Sequence, residues 1–326
     1  MMVYREKYHD VSATVDVTDH QAVRDEVLSL FSDIYKDQDL SPLTQAYEDM
    51  HLLFTGHFPG FYFCDTVYHD LQHSLDMSLA LARMIAGYER DTSSSASFGG
   101  KRAMIAVICA LFHDSGYLRA RKDSMHSNGA EYTKTHVTRS AQFLSNYLPS
   151  IDLGDVIFIT NKMVHFTGYE LSVDRLQLQD RKYQTLGYML GTADLIAQMA
   201  DRCYLEKCRD RLYSEFVIGE VDRVIGDDGS IQLIYDSPED LLSKTPEFYR
   251  HSALSRLDTI FDSVYNYAGK YFSGKNLYML EVEKNINYLQ HILDKNDFSL
   301  LRRKPLANMG TLALQGQEPL LANKTN

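Results

Sequence analysis

YHDLQHSLD, residues 68–76, is the stretch of this chain from which its fold is most directly inferred. It places His69 and His73 four positions apart, so that both lie on one face if the segment is helical. Farther along the chain, His113 stands beside Asp114 at the end of a strongly apolar segment. An imidazole nitrogen and a carboxylate oxygen at adjacent positions can bind one metal ion. These residues therefore predict the beginning of a metal site, provided that further ligands follow.

The composition is that of an ordinary globular protein of 326 residues. Apolar residues make up 44% of the chain and charged residues 24%, and the length allows a large core. The net charge of −11 argues against a nucleic-acid polymer or an anionic membrane as a partner. A bound metal ion could still attract a small anionic substrate. The longest apolar run, residues 103–112, is too short to span a bilayer.

The cysteines and the first residues favour a cytoplasmic location. Residues 1–16 lack the apolar stretch of a secretory signal. The cysteines form no CxxC pair, so we interpret them as reduced thiols. They are Cys64, Cys109, Cys203 and Cys208.

Apolar periodicity predicts an all-α chain with one small β-hairpin. The hairpin is expected within residues 221–235, with Gly226 to Gly229 as its turn. The predicted helical segments are residues 20–36, 42–54, 69–88, 101–113, 127–148, 152–165, 182–216, 250–272 and 276–294.

The organisation predicted is one helical domain, since the candidate ligands spread over much of the chain. The helices after residue 250 could form a homodimer interface, close the pocket or belong to the ordinary core. The tail lacks periodicity and is expected to be flexible. The predicted parts are an N-terminal helical cap (1–60), a catalytic core (61–225), C-terminal helices packed on the core (226–298) and the flexible tail (299–326).

A binuclear metal site needs about five or six ligands from histidines and carboxylates. Taken alone, a histidine is more often a hydrogen-bonded core or surface residue, and Asp114 could simply cap the next segment. Asp194 among apolar neighbours is costly to bury unless it is coordinated or paired, for example with Arg202. The ordered set favours ligands over these alternatives. Its members are His73, His113, Asp114, His136, His165 and Asp194.

These motifs resemble the HD superfamily of metal-dependent phosphohydrolases and, more narrowly, bacterial-type relatives of the class I cyclic-nucleotide phosphodiesterases. YHDLQHSLDM is similar to the signature YHNxxHAxDV, with Asp70 in place of asparagine, and LFHDSGY matches the HD motif. GTADLIAQ resembles the ADLSN segment, and LEKCRDRLYSEF resembles the helix that follows and ends in EEF. The resemblance covers roughly residues 60–225 and implies an all-α, phosphodiesterase-like multi-helix bundle.

The resemblance also implies roles for single residues. His73, His113, Asp114 and Asp194 would hold one metal, and Asp114 would bridge through a hydroxide to a second. His69 matches the family's general acid, which protonates the leaving oxygen. The alternative for His69 is a supporting or surface residue.

His136 and His165 are similar to the additional ligands of HD-GYP-type phosphodiesterases and of HD-fold di-iron oxygenases. Two divalent metal ions are therefore expected, and manganese or iron fits as well as zinc with magnesium. A di-iron oxygenase and a non-catalytic metal-dependent sensor are the alternatives to a phosphohydrolase.

The expected activity is hydrolysis of a nucleotide or another small phosphoester, yet the chain departs from the family where the base is read. Ile218 stands in place of the purine-reading glutamine, and the second histidine of HDxxHPG is absent. Gln198 could replace that glutamine or cap a polar network, and Tyr68 could line the pocket. Arg119 could meet substrate phosphate or belong to a solvated basic loop.

Overall fold

The computed structural model describes residues 5–92 and 96–314, and it confirms the all-α class with one small hairpin. The described residues form thirteen α-helices, α1 to α13, joined by short 3-10 and π-helical turns. In chain order they are His20–Ile34, Ser41–Phe54, Leu71–Asp91, Gly100–Phe112, His136–Tyr147, Ile157–Met163, Arg181–Ala200, Tyr204–Lys207, Tyr213–Ile218, Pro238–Phe248, Asn266–Tyr271, Leu277–Lys295 and Met309–Leu314.

The hairpin lies where the sequence predicts it. Strand β1, Arg223–Ile225, pairs antiparallel with β2, Ile231–Leu233. Gly229 in the turn has φ +77°, a conformation that glycine adopts without strain. The turn chemistry therefore gave the right prediction.

The predicted helix over residues 182–216 is interrupted. It consists of α7, α8, a π-helical turn at Cys208–Leu212, and α9. The break falls at Asp201, whose carboxylate accepts hydrogen bonds from the backbone N–H of Cys203 (2.6 Å) and from Lys207 Nζ (2.5 Å). Such local side-chain bonds give the backbone an alternative to continuing the helix.

Two other predicted helices are shorter than expected. Within residues 127–148 only α5 is α-helical, preceded by a 3-10 turn at Gly129–Tyr132. Within residues 250–272, π-helical turns come before the six-residue α11.

Helix α3 is the centre of the molecule. Every residue from His73 to Gly87 is buried, and the helix packs against α1, α4, α7 and α11. A helix buried on all sides is typical of the middle of a large core. One continuous core extends from Val11 to Leu301, so the N-terminal helices share it with the rest of the chain.

The end of the described chain differs from the predicted flexible tail. Asn308 Nδ2 donates to the backbone oxygen of Val67 (2.8 Å) and to Asp70 Oδ2 (2.6 Å). A Cβ on Gly310 would lie 2.3 Å from the backbone oxygen of Thr66, so the two backbones are in close contact. The segment up to residue 314 therefore lies against the start of α3, and residues 315–326 of the predicted tail lie outside the described residues.

No helix within the described ranges is long and apolar enough to cross a bilayer. All four cysteines are free and buried.

Helix α7 approaches its neighbours too closely to accept a larger residue at Gly191. A Cβ there would lie 2.4 Å from the backbone oxygen of Phe166 and 2.6 Å from the ring of Phe261. We expect Gly191→Ala to lower the free energy of unfolding by about 1–3 kcal/mol, measured by urea titration. Gly269→Ala is the matched control, because its Cβ would meet no atom closer than 3.6 Å. That variant should be neutral or up to about 1 kcal/mol more stable, and equal losses in both would contradict the packing explanation.

Candidate metal centre

Four side chains from three helices converge at the base of a cavity. His73 comes from the first turn of α3, His113 and Asp114 directly follow α4, and Asp194 comes from α7. His73 Nε2 lies 3.3 Å from His113 Nε2 and 3.1 Å from Asp194 Oδ1. Asp114 Oδ2 lies 3.1 Å from His113 Nε2 and 3.7 Å from His73 Nε2. His73, His113 and Asp114 are close enough together to hold one metal ion, with Asp194 beside them.

Local backbone structure orients these ligands. Asp70 caps α3 by accepting the backbone N–H of His73 (3.0 Å), which fixes the first turn of the helix. His113 Nδ1 donates to the backbone oxygen of Ala110 (2.7 Å), so Nδ1 carries a proton and Nε2 faces the cluster. The arrangement of His113 is that of a histidine prepared to bind a metal through Nε2.

The charges of the cluster fit a cation. Burial opposes ionisation of Asp114, but the neighbouring imidazoles, His113 first, outweigh it and hold the pKa of Asp114 well below its usual range. Burial would lower the pKa of His113, whereas the carboxylate of Asp114 raises it to about 9. Asp114 Oδ2 is one of the buried side-chain atoms of the described residues that have no hydrogen-bond partner. A divalent cation would replace the second proton of His113 and bind the free carboxylate oxygen.

Asp114 also faces His136, which begins α5. Its Oδ1 lies 3.8 Å from His136 Nε2, while His136 Nδ1 donates to the backbone oxygen of Thr133 (2.7 Å). Burial lowers the pKa of His136, which favours the neutral ring with a free Nε2. Asp114 therefore lies between His136 and the other three side chains of the cluster, the position expected of a bridging carboxylate.

His165 is the one predicted ligand that the structure does not bring to this point. It lies in a 3-10 turn, Val164–Phe166, and no ion pair joins it to any carboxylate of the described chain. Its Nδ1 is buried without a hydrogen bond, and burial lowers the pKa of its ring. Its role as a ligand stays a prediction that this geometry does not support.

His69 is held beside the cluster by a residue that the sequence did not assign. Its Nδ1 lies 2.5 Å from Oε2 of Glu215, whose Oε1 accepts the backbone N–H of Tyr68 (2.6 Å). Burial would lower the pKa of His69, but the carboxylate of Glu215 raises it to about 9. The His69 ring stacks on Tyr117 with centroids 4.5 Å apart. The one signal for Glu215 in the sequence was its place at the end of the helix that resembles EEF.

Two predicted substrate residues form a chain of hydrogen bonds to the cluster. Tyr68 Oη donates to Gln198 Oε1 (3.0 Å), and Gln198 Nε2 donates to the backbone oxygen of Asp194 (3.0 Å). Both side chains line the cavity. The contacts favour the alternative in which Gln198 belongs to a polar network that orients Asp194.

Arg119 lies away from the cavity, in an ion pair. Its Nε donates to Asp65 Oδ2 (2.8 Å), and its guanidinium lies over the ring of Tyr62 at 4.9 Å. We therefore expect Arg119→Met to change the KM for a phosphoester by less than about twofold, since no substrate contact is lost. The same variant should lower the free energy of unfolding by about 1–3 kcal/mol, because the mostly buried Asp65 loses its partner. A large rise in KM with unchanged stability would restore the predicted phosphate contact.

The cavity has a volume of about 540 Å³ and ends at this cluster. His69, Asp114, His136 and Asp194 lie at its polar end. The rest of the wall comes from residues 133–134 and 167–170, from α7, α8 and the π-helical turn after it, and from α9, the end of the hairpin and α10. Ile218, at the position expected for a base-reading glutamine, is 37% exposed and does not line the cavity.

A protein-family model described as Npun_R2479-like matches residues 122–277, just under half of the chain. That span contains His136, Asp194 and Glu215 but not His73 or the His113-Asp114 pair. No curated protein and no solved structure matches the chain. The chain is thus similar to this family over the second half of the candidate site.

Proposed function

We propose that this chain is a metal-dependent phosphohydrolase of the HD type, and specifically a phosphodiesterase acting on a small phosphoester. The observation that carries the proposal is the ion pair between His69 and the buried Glu215 beside the cluster of histidines and aspartates. The cluster offers ligands for divalent ions, and the pair offers a proton donor next to them. Phosphoester cleavage needs both, since charge on the phosphoryl oxygens must be neutralised and the leaving oxygen must be protonated.

The residues divide this work. When bound, divalent metal ions supply positive charge for the phosphoryl oxygens and activate a water molecule. His73, His113, Asp114 and Asp194 would hold the first ion, and Asp114 with His136 would contact a second. Glu215 fixes the tautomer of His69 by accepting from Nδ1, so that Nε2 is left to protonate the leaving oxygen. Gln198 orients Asp194.

The same pair favours this proposal over a sensor. Protonation of a leaving oxygen requires a proton donor at the cavity wall, whereas metal binding without turnover requires none. His69 lines the cavity, whereas its partner Glu215 is 1% exposed. Solvent therefore reaches the pair only from the cavity side. This placement favours proton transfer to a bound substrate.

The test is turnover by the full chain after removal and return of metal. Protein stripped with a chelator should lose hydrolysis of bis-p-nitrophenyl phosphate, and manganese, iron, or zinc with magnesium should restore it in separate samples. Oxygen consumption should stay at background in all of them. Iron-dependent oxygen uptake without phosphodiester cleavage would establish the oxygenase in its place, and metal binding without either activity would establish the sensor.

A further inference from the structure

Two charged side chains on the cavity wall away from the cluster, Lys244 and Glu170, are bonded to the protein itself. Lys244 Nζ donates to the backbone oxygen of Ile234 (2.7 Å) and to Asp240 Oδ2 (2.7 Å). Glu170 Oε1 accepts the backbone N–H of Val137 (2.7 Å), at the start of α5. A ligand that needed these groups would first have to break bonds that hold the wall together.

The wall is poorly equipped to recognise a nucleobase. Among the described residues, Gln198 is the one amide side chain on the cavity wall. Its amide oxygen accepts from Tyr68 and its amide nitrogen donates to Asp194. Phe216 and Tyr235 stack on each other with centroids 5.8 Å apart. A planar base would need about 7 Å between two rings, because each contact between stacked carbons takes at least about 3.5 Å. The space between these two rings is therefore too narrow for a base.

One stretch of the wall is apolar and reaches solvent. It is built by Leu212, Val221, Ile234, Leu241 and Phe248. Ile234 and Phe248 are 38% and 37% exposed, so the apolar lining continues from the cavity to the surface. A chain longer than the cavity could leave by this route.

We infer that the substrate is a phosphoester of an alkyl-bearing alcohol, with its phosphate at the metal cluster and its alkyl chain along the wall from Leu212 to Phe248. The inference rests on the proposed function for the chemistry, whereas the binding itself requires no turnover. Apolar burial supplies the affinity. Gln198, Lys244 and Glu170 are already bonded to the protein, so they disfavour a ligand that would need them, such as a nucleotide.

The test is calorimetric binding of alkylphosphonic acids, from ethyl to decyl, to the manganese-loaded full chain. In these acids the alkyl carbon is bonded directly to phosphorus, so they contain no ester that the enzyme could hydrolyse. Each buried methylene should tighten binding about fourfold until the chain reaches solvent, and adenosine monophosphate should bind no more tightly than the ethyl compound. Affinity that is independent of chain length, or a preference for the nucleotide, would overturn the inference.

Two variants, one in strand β2 and one directly after it, locate the alkyl chain. Ile234→Asn should weaken decylphosphonate binding about tenfold or more and leave ethylphosphonate unchanged, because only the longer chain reaches this residue. Ile231→Asn is the matched control, since Ile231 is 61% exposed on the same hairpin and does not line the cavity. Thermal unfolding of both variants verifies that each is folded. Equal decyl affinity in the two variants would overturn the assignment of this wall.

The inference and the proposed function fail in different ways. Chain-length-dependent binding without any phosphodiester cleavage supports the apolar ligand and removes the hydrolase. Cleavage of bis-p-nitrophenyl phosphate without chain-length-dependent binding keeps the hydrolase and overturns the apolar substrate.

Discussion

Asp114→Asn is expected to lower hydrolysis of bis-p-nitrophenyl phosphate by well over 100-fold and to lower the bound metal together with it. Even residues that only support metal ligands cost about 10–100-fold when replaced, and Asp114 contacts both halves of the site. Its Oδ2 lies 3.1 Å from His113 Nε2 and its Oδ1 lies 3.8 Å from His136 Nε2. Asparagine keeps the shape but cannot bring the negative charge that neutralises a cation. Metal content by mass spectrometry and steady-state rates measure the two effects.

The control for this prediction is Asp155→Asn, an exposed carboxylate that pairs with Lys101 on the surface. That variant should keep full metal content and full activity. Unchanged metal content in the Asp114 variant would contradict the assignment of the cluster as a metal site, and unchanged activity would contradict the role of the metal in catalysis.

Glu215→Gln is expected to shift the alkaline limb of the pH profile to lower pH. With Glu215 present, the pKa of His69 is about 9, so activity that depends on the imidazolium should fall as the pH rises through about 9. Without the carboxylate, burial still lowers the pKa of His69, and only the more distant Asp114 and Asp194 raise it, so the pKa falls below about 9. The protonated fraction at pH 8 then falls, and kcat/KM falls with it.

The measurement is kcat/KM of both proteins from pH 6 to pH 10.5, with Glu283→Gln as a control at an exposed position of α12. A loss of activity that is the same at every pH would mean that Glu215 only supports the fold. Both measurements use a phosphodiester of an alkyl alcohol, because that leaving oxygen needs a proton whereas p-nitrophenolate does not. His69→Ala should lower the rate by about 10²–10⁴-fold, the usual contribution of a general acid. A full-rate His69 variant would contradict the role of His69 as the general acid.

The pair also links folding to pH. Because the pKa of His69 is raised on folding, its contribution to stability is fully present below the unfolded value of 6.5 and is lost as the pH rises through about 9. His113, whose pKa is also raised to about 9, contributes in the same range. Urea unfolding should therefore show a larger fall in stability between these values in the wild type than in the Glu215 variant.

Local chemistry made part of the candidate site visible in the sequence. Asp194 drew attention because a carboxylate among apolar residues is costly to bury unless it has partners, and the structure places it beside His73. The hairpin was recognisable because the run Gly226 to Gly229, made of glycine and aspartate, is typical of a hairpin turn. The helical class followed from the period of the apolar residues.

Other features depend on contacts between distant residues and had no local signal. Glu215 is separated from His69 by 146 positions, and nothing near it in the sequence marks it as buried. His136 and His165 were both predicted as ligands, yet only His136 faces Asp114. Residues 306–314 lack a clear apolar period, and backbone and amide contacts, for which apolar patterning gives no indication, hold this segment against the start of α3.

The contact between Asn308 and Asp70 has a consequence for the order in which the molecule is built. It joins residues 238 positions apart, and Asp70 is the residue that caps the helix carrying His73. Residue 308 is synthesised after all four side chains of the cluster, so a nascent chain carries every proposed ligand of the cluster before this contact can form. Such late closure of a distant contact is slow relative to helix formation. Until residue 308 has been synthesised, His73 therefore lies on a helix whose capping residue lacks this contact.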